Sequence, residues 1–559
     1  MERGWPKSCP TGTPSTVDVK AFGSISEMFE RSVAKYREKP AYVHMGAAIT
    51  YAEVERLSRA FAAYLHEELE LEKGARIALM MPNLIQYPVT LLGALRGGYV
   101  AVNCSPLYTA RELERQLADS GAEAIVVLEN FASVVQQALP GTAVKHIVTT
   151  ELGDMMGWPK RPLINFIVKR IKRLVPRWSI EGAVSLRDAL RAGAALLWRP
   201  EPIAPGDLAL LQYTGGTTGV PKGAELTHGN MVANVQQHHA HLSRVLQDGR
   251  DIVITAIPLF HIYALTVSCL LSLKIGATNV LITNPRDIKG IVKELGRHRF
   301  SCFPGVNALF KALVANPDFA RLDFSSLRIA AAGGAPLEEE VAEKWKAITG
   351  KTIVEAYGLT EASPVVTCNP MDVTEFNGSC GVPIPLTEIA IRDDAGADLP
   401  IGQAGELCVR GPQIMKGYWN RPQETAAAMT SDGFFRTGDI AKIDERGFVR
   451  IVDRKKDMIN VSGLKVYPSE VEEVVMMHPG VLEAAAIATP DQLSGETVKV
   501  VIVARDPLLT AADVTAHCRK YLAAYKIPRV VEFRREMPKT ALGKILLATG
   551  QALERRMRK

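Results

Sequence analysis

Apolar positions along the chain fall into short runs that alternate with stretches of helical spacing. In residues 24–70, Phe29, Val33 and Tyr36 recur at helical spacing, and Ala41-Tyr42-Val43 reads as extended. Thr50-Tyr51-Ala52-Glu53 has the form of a capping box, with Thr50 as N-cap and Glu53 at the third position. Beyond it, 76–81 predicts a buried strand and 87–95 an apolar helix. Residues 100–102 and 124–128 predict strands separated by a helix over 110–120, and 146–148 another strand. Strands alternating with helices imply a mostly parallel sheet covered on both faces. From 379 onward the rhythm shortens. Residues 388–393, 405–411, 434–435 and 448–452 predict strands between turn signals, a small β-rich subdomain. The last hundred residues return to mixed α and β, with strands over 484–489 and 498–504. The expected class is α/β: a large N-terminal domain of layered βα subdomains carrying the β-rich subdomain, then a small α+β C-terminal domain.

Length and composition sharpen this picture. At 559 residues the chain exceeds one core and predicts two or more domains. A hydrophobic content of 47% with 23% charged residues is that of a soluble globular protein. The net charge of +6 suits anionic small ligands or a weak attraction to membranes and does not point to nucleic acid. Eight cysteines at 9, 104, 269, 302, 368, 380, 408 and 518 form no CxxC pair and read as reduced thiols of a cytosolic protein. The N-terminus lacks the apolar core of a signal peptide, which predicts a cytoplasmic location. Residues 252–273 carry no formal charge and are long enough to span a bilayer. Pro258 and His261 interrupt them, so strand, loop and buried helix is the preferred reading.

One segment departs from the alternation. Residues 158–178 hold seven basic residues (Lys160, Arg161, Lys169, Arg170, Lys172, Arg173, Arg177) and no acid. On a helix over 163–175, Ile164, Ile167, Val168, Ile171, Leu174 and Val175 share one face, with Lys169, Lys172 and Arg173 opposite. Flanked by Trp158 and Trp178, such a helix suits the anionic surface of the inner membrane. The alternative is a helix packed on its own domain with a solvated basic face.

The chemistry concentrates in Tyr213-Thr214-Gly215-Gly216-Thr217-Thr218-Gly219-Val220-Pro221-Lys222-Gly223, after an apolar strand over 208–211 and before a helix opened by Thr227 or His228. Glycines let backbone N–H groups approach a ligand, threonine hydroxyls donate to phosphate oxygens or sit near a metal ion, and lysine adds a point charge. This reads as a phosphate-handling loop; a flexible Gly/Thr surface loop is the bland alternative. It is not a Walker A loop, because Val220-Pro221 separates Gly219 from Lys222 and Gly223 follows the lysine. His238-His239-Ala240-His241 invites a metal reading but lacks a nearby carboxylate or cysteine, so a polar helix face is expected.

The order Thr-Gly-Gly-Thr-Thr-Gly-x-Pro-Lys-Gly resembles the signature loop of the acyl-adenylate-forming superfamily. Five further stretches resemble its motifs in order: Ala331-Ala332-Gly333-Gly334-Ala335-Pro336, Tyr357-Gly358-Leu359-Thr360-Glu361, Thr437-Gly438-Asp439, the run 453–467, and Pro538-Lys539-Thr540-Ala541-Leu542-Gly543-Lys544. The resemblance implies that ATP is held by Thr214 to Gly219, Lys222, Gly333, Gly334, Ala335 and Pro336. It implies that Tyr357 stacks on adenine beside Gly358, Thr360 touches the α-phosphate, and Asp439 and Arg454 meet the ribose. Mg²⁺ would be held by Glu361 with Thr217, and coenzyme A met near Gly463. Lys544, Thr217, Glu361 and His261 are the implied catalytic residues. Lys456 falls at the superfamily's hinge, which implies domains over 1–452 and 453–559, the second mobile.

Pro40-Ala41-Tyr42-Val43-His44-Met45-Gly46, and the stretches 258–266 and 303–310, are similar to bacterial long-chain fatty acid–CoA ligases. The last two would line an acyl tunnel. The implied activity joins a fatty acid to coenzyme A through an acyl-adenylate, with ATP, Mg²⁺ and coenzyme A. Two other readings are an acyl-AMP ligase that loads a carrier protein and a catalytically weak, membrane-bound fatty-acid binder. One departure from the family is Leu547, where arginine is usual. Chain length and oligomeric state have no signature in the sequence.

Overall fold

The structure is a computed structural model that describes residues 17–214, 221–462, 464–491 and 494–538. The described chain divides into two compact units, one of residues 17–388 with 409–435, the other of 389–408 with 436–538.

The first unit holds two large sheets. In the eight-stranded sheet, Arg76–Met80, Val100–Asn103, Ala124–Leu128, His146–Thr150 and Leu208–Thr214 run parallel. The nine-stranded sheet has a parallel centre made of Thr278–Leu281, Ile252–Thr255, Cys302–Gly305, Ile329–Ala332 and Ile353–Gly358. Local chemistry explains the connecting helices. Thr50 accepts from the Glu53 N–H while Glu53 accepts from the Thr50 N–H, the expected capping box. Thr109 with Glu112 and Thr227 with Asn230 repeat the device. The uncharged stretch resolves into the strand Ile252–Thr255 and a buried helical run from Ala264–Leu270 into Leu271–Ile275. Among the described residues no helix is long and apolar enough to cross a membrane.

Buried side-chain amides join the sheets. Asn83, just past Arg76–Met80, donates to the Thr255 and Ile257 carbonyls at 2.9 Å and accepts from the Leu259 N–H at 2.7 Å. Gln212 donates to the Phe260 carbonyl at 2.9 Å and accepts from Asn103 at 2.9 Å.

The second unit holds the β-rich subdomain as a four-stranded sheet, Glu388–Arg392, Gly405–Arg410, Phe435–Ile443 and Val449–Arg454. Its other sheet is built on the hairpin Val481–Asp491 with Gly495–Ala504. Val471, Val475, Val500 and Ile502 pack in the core beside that hairpin.

Three local expectations are corrected. A strand, Lys222–Thr227, precedes the helix His228–Leu242 and pairs antiparallel with Leu208–Thr214. Its sequence Lys-Gly-Ala-Glu-Leu-Thr shows no alternation of apolar and polar residues, and its burial does not alternate either. His238 and His241 form no polar surface. Both are buried, and His241 Nε2 lies 3.1 Å from the Asn369 carbonyl. The basic helix runs over Lys160–Phe166 and Ile167–Ile171 and stops before Arg173, whose φ is +50°. Of its predicted apolar face only Val168 is buried.

Burial keeps several imidazoles neutral: His44 and His228 are pushed down to about 4 and His238 to about 3, chiefly by desolvation. The unfolded chain takes up these protons near pH 6.5 and the folded chain only near 3–4. Stability is therefore complete above pH 6.5 and falls as pH is lowered through that window. The thermal midpoint should drop between pH 7.0 and 5.5, above the range in which ordinary carboxylates titrate. His238→Gln should flatten that slope, and a profile equally steep in both proteins would contradict this account.

Candidate functional site

Three motifs stand at the C-terminal ends of strands, where open α/β sheets bind ligands. Thr214 ends Leu208–Thr214 and lies opposite Lys222 in the register of the hairpin; Tyr213 lies opposite Gly223. A Cβ on Gly223 would meet the Tyr213 ring at 3.1 Å, so the glycine admits the tyrosine. Between these ends, Gly215, Gly216, Thr217, Thr218 and Gly219 lie outside the described residues, as do Gly463 and Lys544.

Gly333 and Gly334 follow Ile329–Ala332. A Cβ on Gly333 would lie 3.3 Å from the Tyr263 ring, and Gly334 has φ +80°, which glycine adopts without strain. Ala335 and Pro336 continue the turn at the surface before the helix Glu339–Thr349 begins. Tyr357 and Gly358 end Ile353–Gly358, and a Cβ on Gly358 would overlap the Pro364 carbonyl at 2.2 Å. Thr360 and Glu361 open the single turn Thr360–Ala362.

Around Lys222 and Glu361 lies a connected set of polar groups. Lys222 Nζ forms an ion pair with Glu424 and sits 5.2 Å above the Tyr418 ring. Tyr418 Oη donates to Glu361 Oε1 at 2.8 Å. Burial, then the Glu361 charge, push the Tyr418 phenol well up, so it remains a donor at neutral pH. The segment is fastened by backbone. Gly417 and Tyr418 pair with Glu225 and Ala224, and the Met415 N–H donates to the Glu361 carbonyl at 2.8 Å. Asp119 ties down the flank, accepting from Tyr213 Oη at 2.7 Å, from Arg421 at 2.7 Å and, on its carbonyl, from Trp419 Nε1 at 3.1 Å. Motif reading passed over Asp119, Tyr418, Arg421 and Glu424, because their partners lie tens to hundreds of positions away. The aromatic-basic run Tyr418-Trp419-Asn420-Arg421 is the one local signal.

His261 stands in the loop after Ile252–Thr255. Burial pushes its imidazole down to about 4, and Nδ1 accepts from the Tyr263 N–H at 3.2 Å, so the neutral ring carries its proton on Nε2. Two residues on, Tyr263 lines an apolar cavity of the same unit. Alternate residues of three adjacent strands floor it: Cys302 and Pro304, Ile329 and Ala331, Val354 and Ala356. Its upper end, at Ala331 and Ala356, adjoins Gly333 and Tyr357 along the strands, and the row Val253, Cys302 and Ile329 lies deeper.

Asp439 and Arg454 belong to the second unit. They face each other across paired strands, Arg454 Nε lying 3.5 Å from Asp439 Oδ1. Lys456 sits in the turn after Val449–Arg454, and its neighbour Lys455 pairs with Glu406 at 3.0 Å and Asp394 at 3.1 Å. Among the described residues no three His, Cys, Asp or Glu side chains converge as a metal site. The hard carboxylate oxygens of Glu361, combined with phosphate oxygens, nonetheless suit Mg²⁺, which binds through one or two carboxylates plus substrate.

Known proteins share this architecture. An ATP-bound MatB from Rhodopseudomonas palustris superposes with a TM-score of 0.80 at 28% identity, over 96% of this chain and 99% of that one. A long-chain-fatty-acid–CoA ligase of Yersinia pestis is 52% identical over 546 residues, 98% of this chain and 97% of the relative. One of Haemophilus influenzae is 50% identical over 549 residues, 98% and 97% of the two chains. The sequence pattern of AMP-binding enzymes matches residues 29–419, and that of the AMP-binding enzyme C-terminal domain matches 470–544. With glycine turns and a lysine-bearing hairpin at the ends of its parallel strands, and both patterns matched in order, the chain belongs to the AMP-binding enzyme family.

Proposed function

We propose that the protein is a long-chain fatty acid–CoA ligase. It activates the acid with ATP to an acyl-adenylate, releasing pyrophosphate, and transfers the acyl group to coenzyme A, releasing AMP. The observation that carries the substrate class is the apolar cavity, whose upper end adjoins the Gly333 and Tyr357 turns and whose floor is alkyl and thiol side chains. Its lining offers no acidic side chain to meet a substrate amine.

A carboxylate is a poor electrophile, and bringing it to the α-phosphate of ATP sets two anions together. Lys222 and the flanking turns would cradle the phosphates, and Tyr357 and the glycines at 333–334 would bracket the adenine. Glu361 with Thr217 would hold Mg²⁺, which when bound supplies positive charge at the phosphates. The neutral His261, two residues before the cavity-lining Tyr263, would donate a hydrogen bond rather than a charge. Asp439 and Arg454 would meet the ribose, and Gly463 would lie near coenzyme A. Lys544, on the C-terminal domain over 453–559, would bridge carboxylate and α-phosphate, and that domain would turn about Lys456 between the half-reactions.

The segment near 163–175 supports a peripheral contact with the inner membrane. Lys169 pairs with Glu129 at 2.9 Å and Glu151 at 3.2 Å, and Asn165 binds the Gly153 N–H and Glu151. Leu163, Phe166, Ile171 and Leu174 stand exposed, with Trp158 at 86% exposure beside them. Exposed apolar side chains rimmed by Arg161, Arg170 and Lys172 suit an anionic lipid surface.

Three measurements test these readings. Cys302→Phe fills the deep row of the cavity, so kcat/KM for oleate should fall about 10-fold or more relative to octanoate, the scale of a few misfitted methylenes. Equal loss on both acids would place the chain elsewhere. Lys544→Ala should slow adenylation by about 10²–10³-fold, the scale of one lost charge-stabilising donor, while synthetic oleoyl-AMP with coenzyme A still yields oleoyl-CoA. Loss of both steps together would end the divided-labour mechanism. Replacing Leu163, Phe166 and Ile171 with Ser should release the protein from phosphatidylglycerol vesicles with octanoate turnover unchanged, and undiminished sedimentation would remove the membrane assignment.

A further inference from the structure

Tyr418 touches both charged residues of the first unit that flank the nucleotide turns. Its phenol donates to Glu361 Oε1 at 2.8 Å, and its ring lies 5.2 Å beneath Lys222 Nζ. Its backbone is paired to Ala224, two residues past that lysine, and its own N–H donates to Thr425 Oγ1 at 2.9 Å. The neighbouring Trp419 N–H donates to the Gly223 carbonyl at 2.8 Å, and its Nε1 to the Asp119 carbonyl. The tyrosine is therefore a rigid part of the hairpin that bears Lys222, and its hydroxyl crosses to a separate strand end that bears Glu361. No sequence motif joins these elements; packing alone does.

We propose that Tyr418 is a positioning residue for metal binding: its hydroxyl orients the Glu361 carboxylate, and its ring holds Lys222 apart from it. Without the spacer the lysine and the carboxylate would be drawn together as an ion pair, each neutralising the charge that the metal–nucleotide complex needs. With it, Lys222 rests on an aromatic face and on Glu424, and Glu361 accepts a hydrogen bond that leaves its negative charge in place. Hydrogen-bond donors behind a ligating carboxylate typically change metal affinity 10–100-fold when removed. This inference rests on the reading of Glu361 as the metal-binding acid, and its test separates the two.

The test uses the full chain with a non-hydrolysable α,β-methylene ATP analogue. Mn²⁺ binding is followed by the electron paramagnetic resonance of the free ion in wild type, Tyr418→Phe, Glu361→Gln and the double variant. Tyr418→Phe keeps the ring under Lys222. It should weaken Mn²⁺ binding about 10-fold or more, while the affinity for the analogue in chelator stays within about twofold and the thermal midpoint is unchanged. The double variant should bind Mn²⁺ no more weakly than Glu361→Gln alone, because the phenol acts through that carboxylate. Unchanged Mn²⁺ affinity in Tyr418→Phe, or losses that add in the double variant, overturns the role of Tyr418. Unchanged affinity in Glu361→Gln overturns the assignment of Glu361 and the inference with it. Tyr418→Leu removes the ring as well and should also weaken metal-free analogue binding; equal metal-free affinity in the Leu and Phe variants would overturn the spacer role.

Discussion

The antiparallel pairing of Leu208–Thr214 with Lys222–Thr227 is the constraint on which the part of the molecule proposed to face the nucleotide depends. A lysine proposed to meet a polyphosphate has a long, freely rotating stem, and leaving it in water would spread its charge over many positions. The ladder fixes its backbone opposite Thr214, and the Glu424 carboxylate and Tyr418 ring confine its head. The same ladder delivers Thr227 as the cap of His228–Leu242 and offers Glu225 and Ala224 to pair with Gly417 and Tyr418. One hairpin thus sets the loop's lysine, the helix over the cavity and the support of Glu361.

A second constraint comes from backbone groups at strand ends. Where a parallel strand stops inside the protein its carbonyls and N–H groups still need partners. Asn83 satisfies three of them after Ile252–Thr255, and Asn234 brackets Val365 with one bond to its carbonyl at 2.9 Å and one from its N–H at 3.0 Å. Leaving such a buried group without a partner would cost about 1–3 kcal/mol. Asn83 thereby fastens the start of the loop that leads to Tyr263, a residue lining the cavity. The apolar floor and the polar rim are therefore consequences of one arrangement: small apolar residues inside the sheet, hydrogen-bonded turns at its edge.

Individual residues show where local reading succeeds and where it stops. The Thr50–Glu53 capping box, the helix Ala110–Ser120 and the strand Ala124–Leu128 are determined within a few residues, and their signals survive folding unchanged. The strand Lys222–Thr227 was missed because its partner, not its composition, makes it a strand. His238 and His241 looked solvated because a His-rich run is polar in composition. They are buried because His228–Leu242 is covered on nearly every side, and Asn369, far along the chain, comes to meet His241. Near 163–175 the spacing was helical, but only Val168 of the apolar face is buried, because spacing does not say whether a neighbouring element comes to cover a face.

By itself, the order of residues determined the α/β class, the positions of most strands and helices, and the motifs that mark the family. Each rests on hydrogen bonds and turn geometry among neighbours a few positions apart. Tertiary structure alone decided that Tyr418 touches both Lys222 and Glu361, that Asp119 braces Tyr213 and Arg421, and that alternate residues of three strands open one apolar cavity. Those contacts join residues separated by tens to hundreds of positions. Their energies depend on burial and on distances that only the packed chain sets, so no local pattern encodes them.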